Sequence, residues 1–185
     1  RGMERMLLKN PEQNFEEIYA IYEASFPEVE RRTKEGQRAA MNHPRMKVRA
    51  ARKDGRIAAF LTGWELENCI YLEHLATDPA CRGGGLGKGL ILESIQEAKE
   101  KQLPLILEIE PVTEEKPDTV RRAAFYERLG FVINRFPYEQ PPLREGASGC
   151  PLWIVTYGKP MGEEEFLPYK RQIFHYVYGC PLQQF

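Results

Sequence analysis

The sequence predicts a single α/β domain, of the α+β type, with a mixed central sheet of about six to seven strands and helices on both faces. Between residues 47 and 77, strand-like segments are joined by short turns, which is typical of an antiparallel meander. A glycine-rich turn and an amphipathic helix then lead to another buried strand, which favours a parallel pair. The chain of 185 residues is long enough for one domain with a core.

The composition excludes several classes of protein. The chain is 42% hydrophobic and 29% charged, with a formal net charge of -1, so we expect no nucleic-acid partner. It has no apolar run of about 18 residues, so we expect no membrane span. Four cysteines and three histidines lack metal-ligand spacing, so we expect no metal and a reducing cytoplasm. We expect one domain over residues 3–185, as a monomer or homodimer, with Arg1 and Gly2 as extraneous residues ahead of a natural Met3.

The first half of the chain alternates helical and extended patterns. Residues 6–8 predict a first strand, and apolar residues at helical spacing predict a helix over residues 15–25 that ends before Pro27. Two period-two segments joined by Asp54 and Gly55 predict a β-hairpin. A second, polar helix is expected over residues 28–41. We expect its charged side chains on a solvated face, namely Glu28, Glu30, Arg31, Arg32, Lys34 and Glu35.

The second half contains further helices and strands. Residues 86–98 carry one apolar helical face, and residues 103–110 form a nearly continuous apolar strand. A polar loop precedes a helix predicted for residues 120–129, capped by Asp118 or Thr119 and ended by Gly130. Strands are expected at 131–133 and 152–157, on either side of an irregular loop at 137–149. A closing amphipathic helix over residues 162–179 ends at Gly179.

Residues 82–89, Arg-Gly-Gly-Gly-Leu-Gly-Lys-Gly, lie between a predicted strand and a predicted helix. Glycines at this place let backbone N–H groups converge on one point, and the helix N-terminus adds partial positive charge, so the turn predicts an anion site, most often for phosphate. A flexible connection is the alternative. A Walker-type loop fails because it requires glycine where the chain has Arg82, and a dinucleotide fingerprint fails because it requires glycine at Lys88 or Leu90.

A different pattern fits these residues. Arg82-Gly83-Gly84-Gly85-Leu86-Gly87 resembles the acyl-CoA-binding motif of the GNAT superfamily of N-acyltransferases. Residues 123–131, Ala-Ala-Phe-Tyr-Glu-Arg-Leu-Gly-Phe, resemble a later helix of that family, and the predicted element order follows its layout. One departure is Thr119, where many relatives carry an asparagine that contacts the cofactor. Arg121 and Arg122 offer other phosphate contacts.

The resemblance implies acetyl-CoA (coenzyme A) as cosubstrate. Pantetheine would lie along the preceding strand at Leu75, Ala76 and Thr77, with the Leu75 N–H as donor to the thioester carbonyl. The pyrophosphate would bind the backbone of the glycine turn, which comprises Arg82, Gly83, Gly84, Gly85, Leu86, Gly87 and Lys88.

Acyl transfer to an amine also requires proton transfers. An alkylamine of pKa about 10 is protonated at neutral pH, so a base must remove a proton. The resemblance implies Glu73 as this base, and its alternative role is to bind a cationic substrate or pair with a basic side chain. Strand alternation would place Glu73 on the face of Tyr71, Leu75 and Thr77, and would turn His74, as a packed and hydrogen-bonded side chain, to the opposite face.

Other residues complete the predicted chemistry. Glu108 and Glu110 share one face of the next strand, and either could be the base through water, or both could make the amine pocket acidic. The resemblance implies Tyr126 as the general acid that protonates the leaving thiolate; a packed aromatic is the alternative. Cys81 lacks an evident activating histidine, which favours direct transfer in a ternary complex over a covalent acyl-enzyme.

Together these features predict an N-acetyltransferase that moves acetyl from acetyl-CoA to a primary amine of a small molecule or peptide. The main alternative is a non-catalytic acyl-CoA-binding sensor or interaction module of the same fold. A nucleotide-binding protein is a weaker alternative, because both nucleotide patterns fail. The acceptor pocket is expected among residues 26–32, the loop at 137–149 and the strand ends.

Overall fold

The structure, a computed structural model, describes residues 2–182. Two parts of the chain lie outside the described residues. They are Arg1, one of the two residues predicted to be extraneous, and residues 183–185 of the predicted domain. The strands are β1 (Met3–Leu7), β2 (Met46–Lys53), β3 (Arg56–Glu65), β4 (Ile70–Thr77), β5 (Leu105–Ile109), β6 (Phe131–Asn134), β7 (Glu139–Gln140), β8 (Cys150–Pro151) and β9 (Trp153–Tyr157). Seven of them form a mixed sheet in the order β1-β2-β3-β4-β5-β9-β6, and β7 pairs with β8 in a separate ribbon.

Helices cover both faces of the sheet. They are α1 (Phe15–Ser25), α2 (Lys34–Met41), α3 (Leu86–Lys101), α4 (Pro117–Arg128) and α5 (Glu163–Tyr176). One buried cluster joins α1 and α5 to the sheet, and we call that side the α1 face. The other cluster joins α3 and α4 to the opposite side, which we call the α3 face. The two-sided mixed sheet confirms the predicted fold class.

Local sequence signals explain the meander. Asp54 and Gly55 both have positive φ, 52° and 83°, which suits the tight hairpin turn whose twist matches that of the flanking strands. β2 pairs antiparallel with β3, and β3 with β4, as predicted. β4 and β5 pair in parallel, with α3 between them in the chain, which confirms the predicted strand-helix-strand unit.

The helix predicted for residues 28–41 is wrong in its first half. Residues Glu28–Glu30 form a single 3-10 turn, Arg31 is extended, and α2 begins at Lys34. The Thr33 side chain caps α2 by accepting a hydrogen bond from the Gly36 N–H at 3.1 Å. Arg32 is not on a solvated face, since it is only 8% exposed and its side chain bonds to other elements.

Other predicted elements differ mainly at their ends. α4 begins at Pro117, earlier than predicted, so Thr119 lies within the helix and does not cap it from outside. The loop predicted for residues 137–149 contains β7, which pairs with β8. The closing helix is shorter than predicted, and Gly179 follows it with φ of 73°.

β4 contains a β-bulge at Glu73. On the neighbouring strand, Thr62 pairs with His74 while the next residue, Gly63, pairs with Leu72, so Glu73 is the extra residue. A bulge of this kind turns two successive side chains toward the same side of a sheet.

The bulge overturns the alternation that the sequence predicted. Glu73 and His74 both lie on the α1 face, with Tyr71, because Glu73 bonds to Trp64 and His74 packs on Tyr22. Leu75 packs on the α3 face. The prediction that Glu73 shares a face with Tyr71 is therefore right. The predictions that Leu75 lies on that same face and that His74 lies on the opposite face are wrong.

Along residues 2–182, no helix has both the length and the apolar character that a bilayer span requires. In the same part of the chain, no group of His, Cys, Asp and Glu side chains is arranged to hold a metal ion.

Candidate active site

The centre of the sheet opens between β4 and β5. These parallel strands pair over three residues each, as far as Leu72 and Leu107. Beyond that point, Glu73 is the unpaired bulge residue and residues 74–77 of β4 pair only with β3. Residues 108 and 109 of β5 pair only with β9. Each strand therefore has an edge without a strand partner, where backbone groups can pair with an extended ligand.

The glycine turn follows β4 and leads into α3. Gly83 and Gly85 have φ of 88° and 75°, a region that favours glycine, and a Cβ added at either residue would meet nothing within 4 Å. The first bond of α3 runs from the Gly89 N–H to the Gly85 carbonyl at 3.1 Å. The N–H groups of residues 86–88 precede it and have no acceptor within the helix, so they are donors available to an anion.

Residues of the predicted cofactor site differ in exposure. Arg82, Lys88 and the turn glycines 83–85 are exposed, whereas the Leu86 side chain is buried. A Cβ added at Gly87 would lie 3.4 Å from Leu75 Cδ2, so the start of α3 packs directly against β4. Ala76 is buried and Thr77 is half-buried, which leaves the backbone as the main binding surface of this part of β4.

Glu73 is enclosed by protein partners. Its side chain is 2% exposed, its Oε1 accepts a hydrogen bond from Trp64 Nε1 at 2.8 Å, and its Oε2 lies 2.8 Å from Arg32 Nη2. Burial alone would raise the pKa of Glu73, but the Arg32 guanidinium outweighs burial and holds that pKa below its usual value. Glu73 is therefore an ionised carboxylate that is paired with Arg32, although its Oε2 accepts no well-aligned hydrogen bond within residues 2–182.

Arg32 joins several elements around Glu73. Its guanidinium donates to Gln37 Oε1 of α2 and to the Val177 carbonyl after α5, each at 3.1 Å, and its N–H donates to the Tyr22 hydroxyl of α1 at 2.9 Å. The sequence gives little sign of this role, because Arg32 stands within a highly charged run.

His74 is packed and neutral. Its ring lies 5.0 Å from that of Tyr22 and 4.9 Å from that of Phe26, and burial lowers the pKa of His74 to about 4. The predicted packing is confirmed. Its Nδ1, however, has no hydrogen-bond partner within residues 2–182 and lies 3.9 Å from Glu73 Oε2.

Glu108 of β5 is held by neutral donors. Its Oε1 accepts from the Tyr178 hydroxyl and from Gln140 Nε2, each at 2.8 Å, and its Oε2 accepts from the Tyr138 hydroxyl. The Tyr178 and Tyr71 hydroxyls lie 2.9 Å apart, within hydrogen-bonding distance. Burial raises the pKa of Glu108, and these hydrogen bonds offset only part of the rise. The sequence predicts Glu108 as a candidate but none of these partners.

Glu110 lies further along the chain and faces cations. It is 3.5 Å from Arg122 Nη1 and 3.7 Å from Lys116 Nζ. Thr119, which replaces the asparagine of many relatives, is buried; its hydroxyl donates to the Lys116 carbonyl at 2.7 Å and accepts from the Thr113 N–H at 3.0 Å. Thr119 thus fixes the loop before α4.

Tyr126 of α4 lies on the α3 face. It is 8% exposed, and its ring packs on Phe125 and Phe131 at 5.0 and 5.4 Å between centroids. Burial raises the pKa of Tyr126 to about 12. No hydrogen bond joins its hydroxyl to another residue of the described range 2–182. The two predicted catalytic residues, Glu73 and Tyr126, are therefore on opposite faces of the sheet.

Comparisons with known proteins identify the family and the fold. The model of the acetyltransferase (GNAT) family matches residues 15–131. A candidate acetyltransferase of Bacillus subtilis (strain 168), YjbC, is 39% identical over 115 residues, which are 62% of this chain and 58% of that protein. The chain thus matches little more than half the length of this relative.

Solved structures show the same fold. A candidate GNAT acetyltransferase from Bacteroides thetaiotaomicron has a TM-score of 0.81 at 28% identity, covering 96% of this chain and 99% of that chain. The ribosomal-protein-S18-alanine N-acetyltransferase of Escherichia coli has a TM-score of 0.62 at 20% identity, covering 88% and 97%. A GNAT acetyltransferase from Elizabethkingia anophelis, solved with acetyl-CoA bound, has a TM-score of 0.57 at 14% identity, covering 84% and 97%.

The mixed sheet with helices on both faces is the GNAT fold of these solved structures. The chain belongs to the acetyltransferase (GNAT) family, as its resemblance to that family predicted.

Proposed function

We propose that the chain is an N-acetyltransferase that moves acetyl from acetyl-CoA to a primary amine of a small molecule or peptide, by direct attack in a ternary complex. One observation carries the proposal: the unpaired edge of β4 leads directly into the glycine turn at the start of α3. Coenzyme A has a matching order of parts. Its extended pantetheine arm can pair with the strand edge, and the pyrophosphate that follows can bind the turn. Membership of the family supports acetyl transfer as the reaction.

In this proposal the backbone binds the cofactor. The amides of residues 82–88 hold the pyrophosphate, and the edge of β4 at Leu75, Ala76 and Thr77 pairs with pantetheine. The Leu75 N–H is the proposed donor to the thioester oxygen as it gains negative charge. The close packing of α3 on β4 at Gly87 and Leu75 supports this arrangement, because it places the turn beside the strand.

Tyr126 is the proposed general acid. Its raised pKa keeps the phenol protonated at neutral pH, and its hydroxyl has no partner among the described residues that would compete for the proton. A thiolate of pKa about 8.5 is a weaker base than the phenolate. We therefore propose that proton donation to sulfur is coupled to uptake of a proton from the attacking nitrogen, which restores the phenol.

The predicted role of Glu73 as base stays a prediction, and its surroundings favour a positioning role. Its low pKa weakens it as a proton acceptor, and its buried side chain is already paired with Arg32 and hydrogen-bonded to Trp64. The Glu110 carboxylate forms ion pairs with Lys116 and Arg122. Burial raises the pKa of Glu108, which favours proton uptake at that carboxylate.

Two measurements test the function. Acetyl-CoA should raise the melting temperature while ATP and NAD do not, and a panel of primary amines should include some that release coenzyme A thiol. A thermal shift without thiol release for any amine would favour the sensor or interaction module. The absence of any shift would remove the cofactor assignment.

A further inference from the structure

We propose that a cavity at the far end of α3 from the glycine turn is a second ligand site, and that it takes an amphipathic anion. The ligand class is an alkyl carboxylate, with an apolar chain of medium length and one anionic head group. The cavity shares no residue with the proposed cofactor site or the expected acceptor pocket, so this second site is independent of the acetyltransferase function.

The cavity, which we call the α3–α5 cavity, lies where the end of α3, the start of β5, the turn after β9 and the first half of α5 meet. Its volume is about 410 Å³. Small-molecule sites typically have volumes of about 300–1,000 Å³. The cavity is therefore large enough for a small organic ligand.

The α3–α5 cavity is separate from the candidate active site. α3 has 16 residues, and the glycine turn is at its other end. At about 1.5 Å per residue, the two ends of this helix are about 24 Å apart. The cavity also adjoins Leu105, the first residue of β5, whereas the sheet opens beyond Leu107. A ligand in this cavity would thus leave the glycine turn and the edge of β4 free.

Buried hydrogen bonds hold one wall of the cavity, the turn after β9, in place. The Asn134 side chain, which is 6% exposed, donates to the Thr156 hydroxyl at 3.0 Å and accepts from the Met161 N–H at 2.9 Å. The Thr156 hydroxyl in turn donates to the Lys159 carbonyl at 2.7 Å. This wall is already ordered, which reduces the entropy that a ligand loses the protein on binding.

Apolar groups from all four elements line the interior of the cavity. Leu105 and Met161 are buried, and the Tyr157 and Tyr169 rings are half-buried. The apolar and aromatic lining includes Ala98, Leu103, Leu105, Tyr157, Met161 and Tyr169. An alkyl chain bound against these groups would leave water, and that transfer favours binding.

Two lysines give the rim of the cavity a positive charge. Lys99, in the last turn of α3, and Lys159 are exposed, and neither forms an ion pair within residues 2–182. The Lys99 ammonium lies 5.5 Å from the centre of the Tyr157 ring, so it stands beside the apolar lining. Glu165 also lines the cavity, and its carboxylate accepts a hydrogen bond from the Gly162 N–H at the start of α5. The excess of positive charge complements a carboxylate head above an apolar chain.

The walls from β9 and α5 lie outside residues 15–131, the range that the family model matches. Among them are Tyr157, Met161 and Tyr169, together with Lys159 at the rim. The proposed site therefore does not follow from membership of the family.

The experiment titrates decanoate into the full chain, with the five methionine methyl groups as NMR reporters. Met161 lines the cavity, and Met3, Met6, Met41 and Met46 do not. We expect a saturable shift of the Met161 signal while the other four signals stay in place, both with and without saturating coenzyme A. No Met161 shift, or a shift that coenzyme A abolishes, would overturn the inference.

Decylamine tests the charge of the ligand, because it has the same chain length and a cationic head. We expect it to bind at least about tenfold more weakly than decanoate, since its ammonium meets the rim lysines as like charges. Equal affinities for the two probes would overturn the assignment of an anionic ligand.

The double variant Lys99→Glu with Lys159→Glu tests the rim in the same titration. We expect decanoate affinity to fall by about tenfold or more, because repulsion replaces attraction. The double variant Lys9→Glu with Lys53→Glu is the matched control, since both lysines are exposed and lie outside the cavity. It makes the same change in net charge, and we expect less than about a threefold effect because salt screens distant charges.

All four substitutions are at exposed residues, so both variants should fold, and thermal unfolding curves check this. Equal decanoate affinities for the two double variants would overturn the inference. Wild-type protein that shows no thermal shift with acetyl-CoA would instead contradict the proposed function, and the Met161 signal would still report on the second site.

Discussion

Arg32 and Glu73 form a buried ion pair, 2.8 Å between Nη2 and Oε2, that joins the segment before α2 to the bulge of β4. Their side chains are 9% and 2% exposed, so water solvates neither charge well. The pair also fixes the C-terminal segment, because the same guanidinium nitrogen donates to the Val177 carbonyl. Three parts of the chain around the opening of the sheet thus depend on one arginine.

Arg32→Met should destabilise the fold strongly. It leaves the Glu73 charge buried without a cation, which typically costs about 3–5 kcal/mol. Urea unfolding at pH 7 measures this loss. The double variant Arg32→Met with Glu73→Gln should recover part of it, because the unpaired charge is gone. If the double variant is no more stable than Arg32→Met, the loss comes from packing and not from the charge.

The same pair predicts a pH dependence. The pKa of Glu73 is lowered by Arg32, so its contribution to stability is complete above the unfolded pKa of about 4.3 and is lost as pH falls through the lower folded pKa. The stability difference between wild type and Glu73→Gln should therefore shrink in acid. Unfolding curves at pH 7 and below pH 4 provide the measurement, and a constant difference would contradict it.

His74 predicts a second pH dependence, at higher pH. Burial lowers its pKa to about 4, whereas an unfolded histidine titrates near 6.5. Between these values only the unfolded chain binds the proton, so the free energy of unfolding rises with pH across this window, by about 3 kcal/mol. His74→Phe keeps an aromatic ring against Tyr22 and Phe26 but removes the titration. The free energy of unfolding of His74→Phe, relative to that of wild type, should increase as pH falls from 7 to 5. Equal changes with pH in the two proteins would contradict the prediction.

Gly85 and Gly55 form a matched pair for testing the glycine turn. Both have positive φ, 75° and 83°, and a Cβ added at either meets nothing within 4 Å. Each alanine variant should lose about 1–2 kcal/mol of stability through backbone strain. We expect only Gly85→Ala to weaken acetyl-CoA binding, by about tenfold or 1.4 kcal/mol, because it adds a methyl group and backbone strain within the proposed pyrophosphate site. Titration calorimetry measures both, and equal affinities would remove the turn from the site.

Tyr126→Phe tests the proposed acid. The change removes only the hydroxyl, so acetyl-CoA affinity should persist while kcat falls by about 10²-fold or more. Tyr157→Phe is the control, since its ring packs on the same Phe131 at 5.3 Å. Steady-state thiol release measures both variants. Similar rates for the two would leave Tyr126 with a packing role only.

Much of the fold follows from local signals in the sequence. Asp54 and Gly55 specify a turn that only a few residue types adopt easily, and the apolar spacing of residues 15–25 matches α1 at both ends. The glycine turn follows β4 and begins α3, as its run of neighbouring glycines predicts. These features depend on residues close together in the chain.

The missed features depend on distant residues. Arg32 looks like a surface residue because its neighbours are charged, and its burial follows from a carboxylate 41 positions away. The partners of Glu108 lie 30, 32 and 70 positions from it. The bulge at Glu73 has no sequence signal that we could identify, and strict alternation therefore assigned His74 to the wrong face.

The single extra residue in β4 also bears on which length changes the chain can tolerate. Deleting Glu73 would make Leu72 and His74 neighbours, already in register with Gly63 and Thr62, so regular alternation would return with every other side chain on its present face. The deletion would, however, leave the buried Arg32 guanidinium without its carboxylate. Loss of Glu73 should thus destabilise the fold through the broken ion pair and not through a reversed strand.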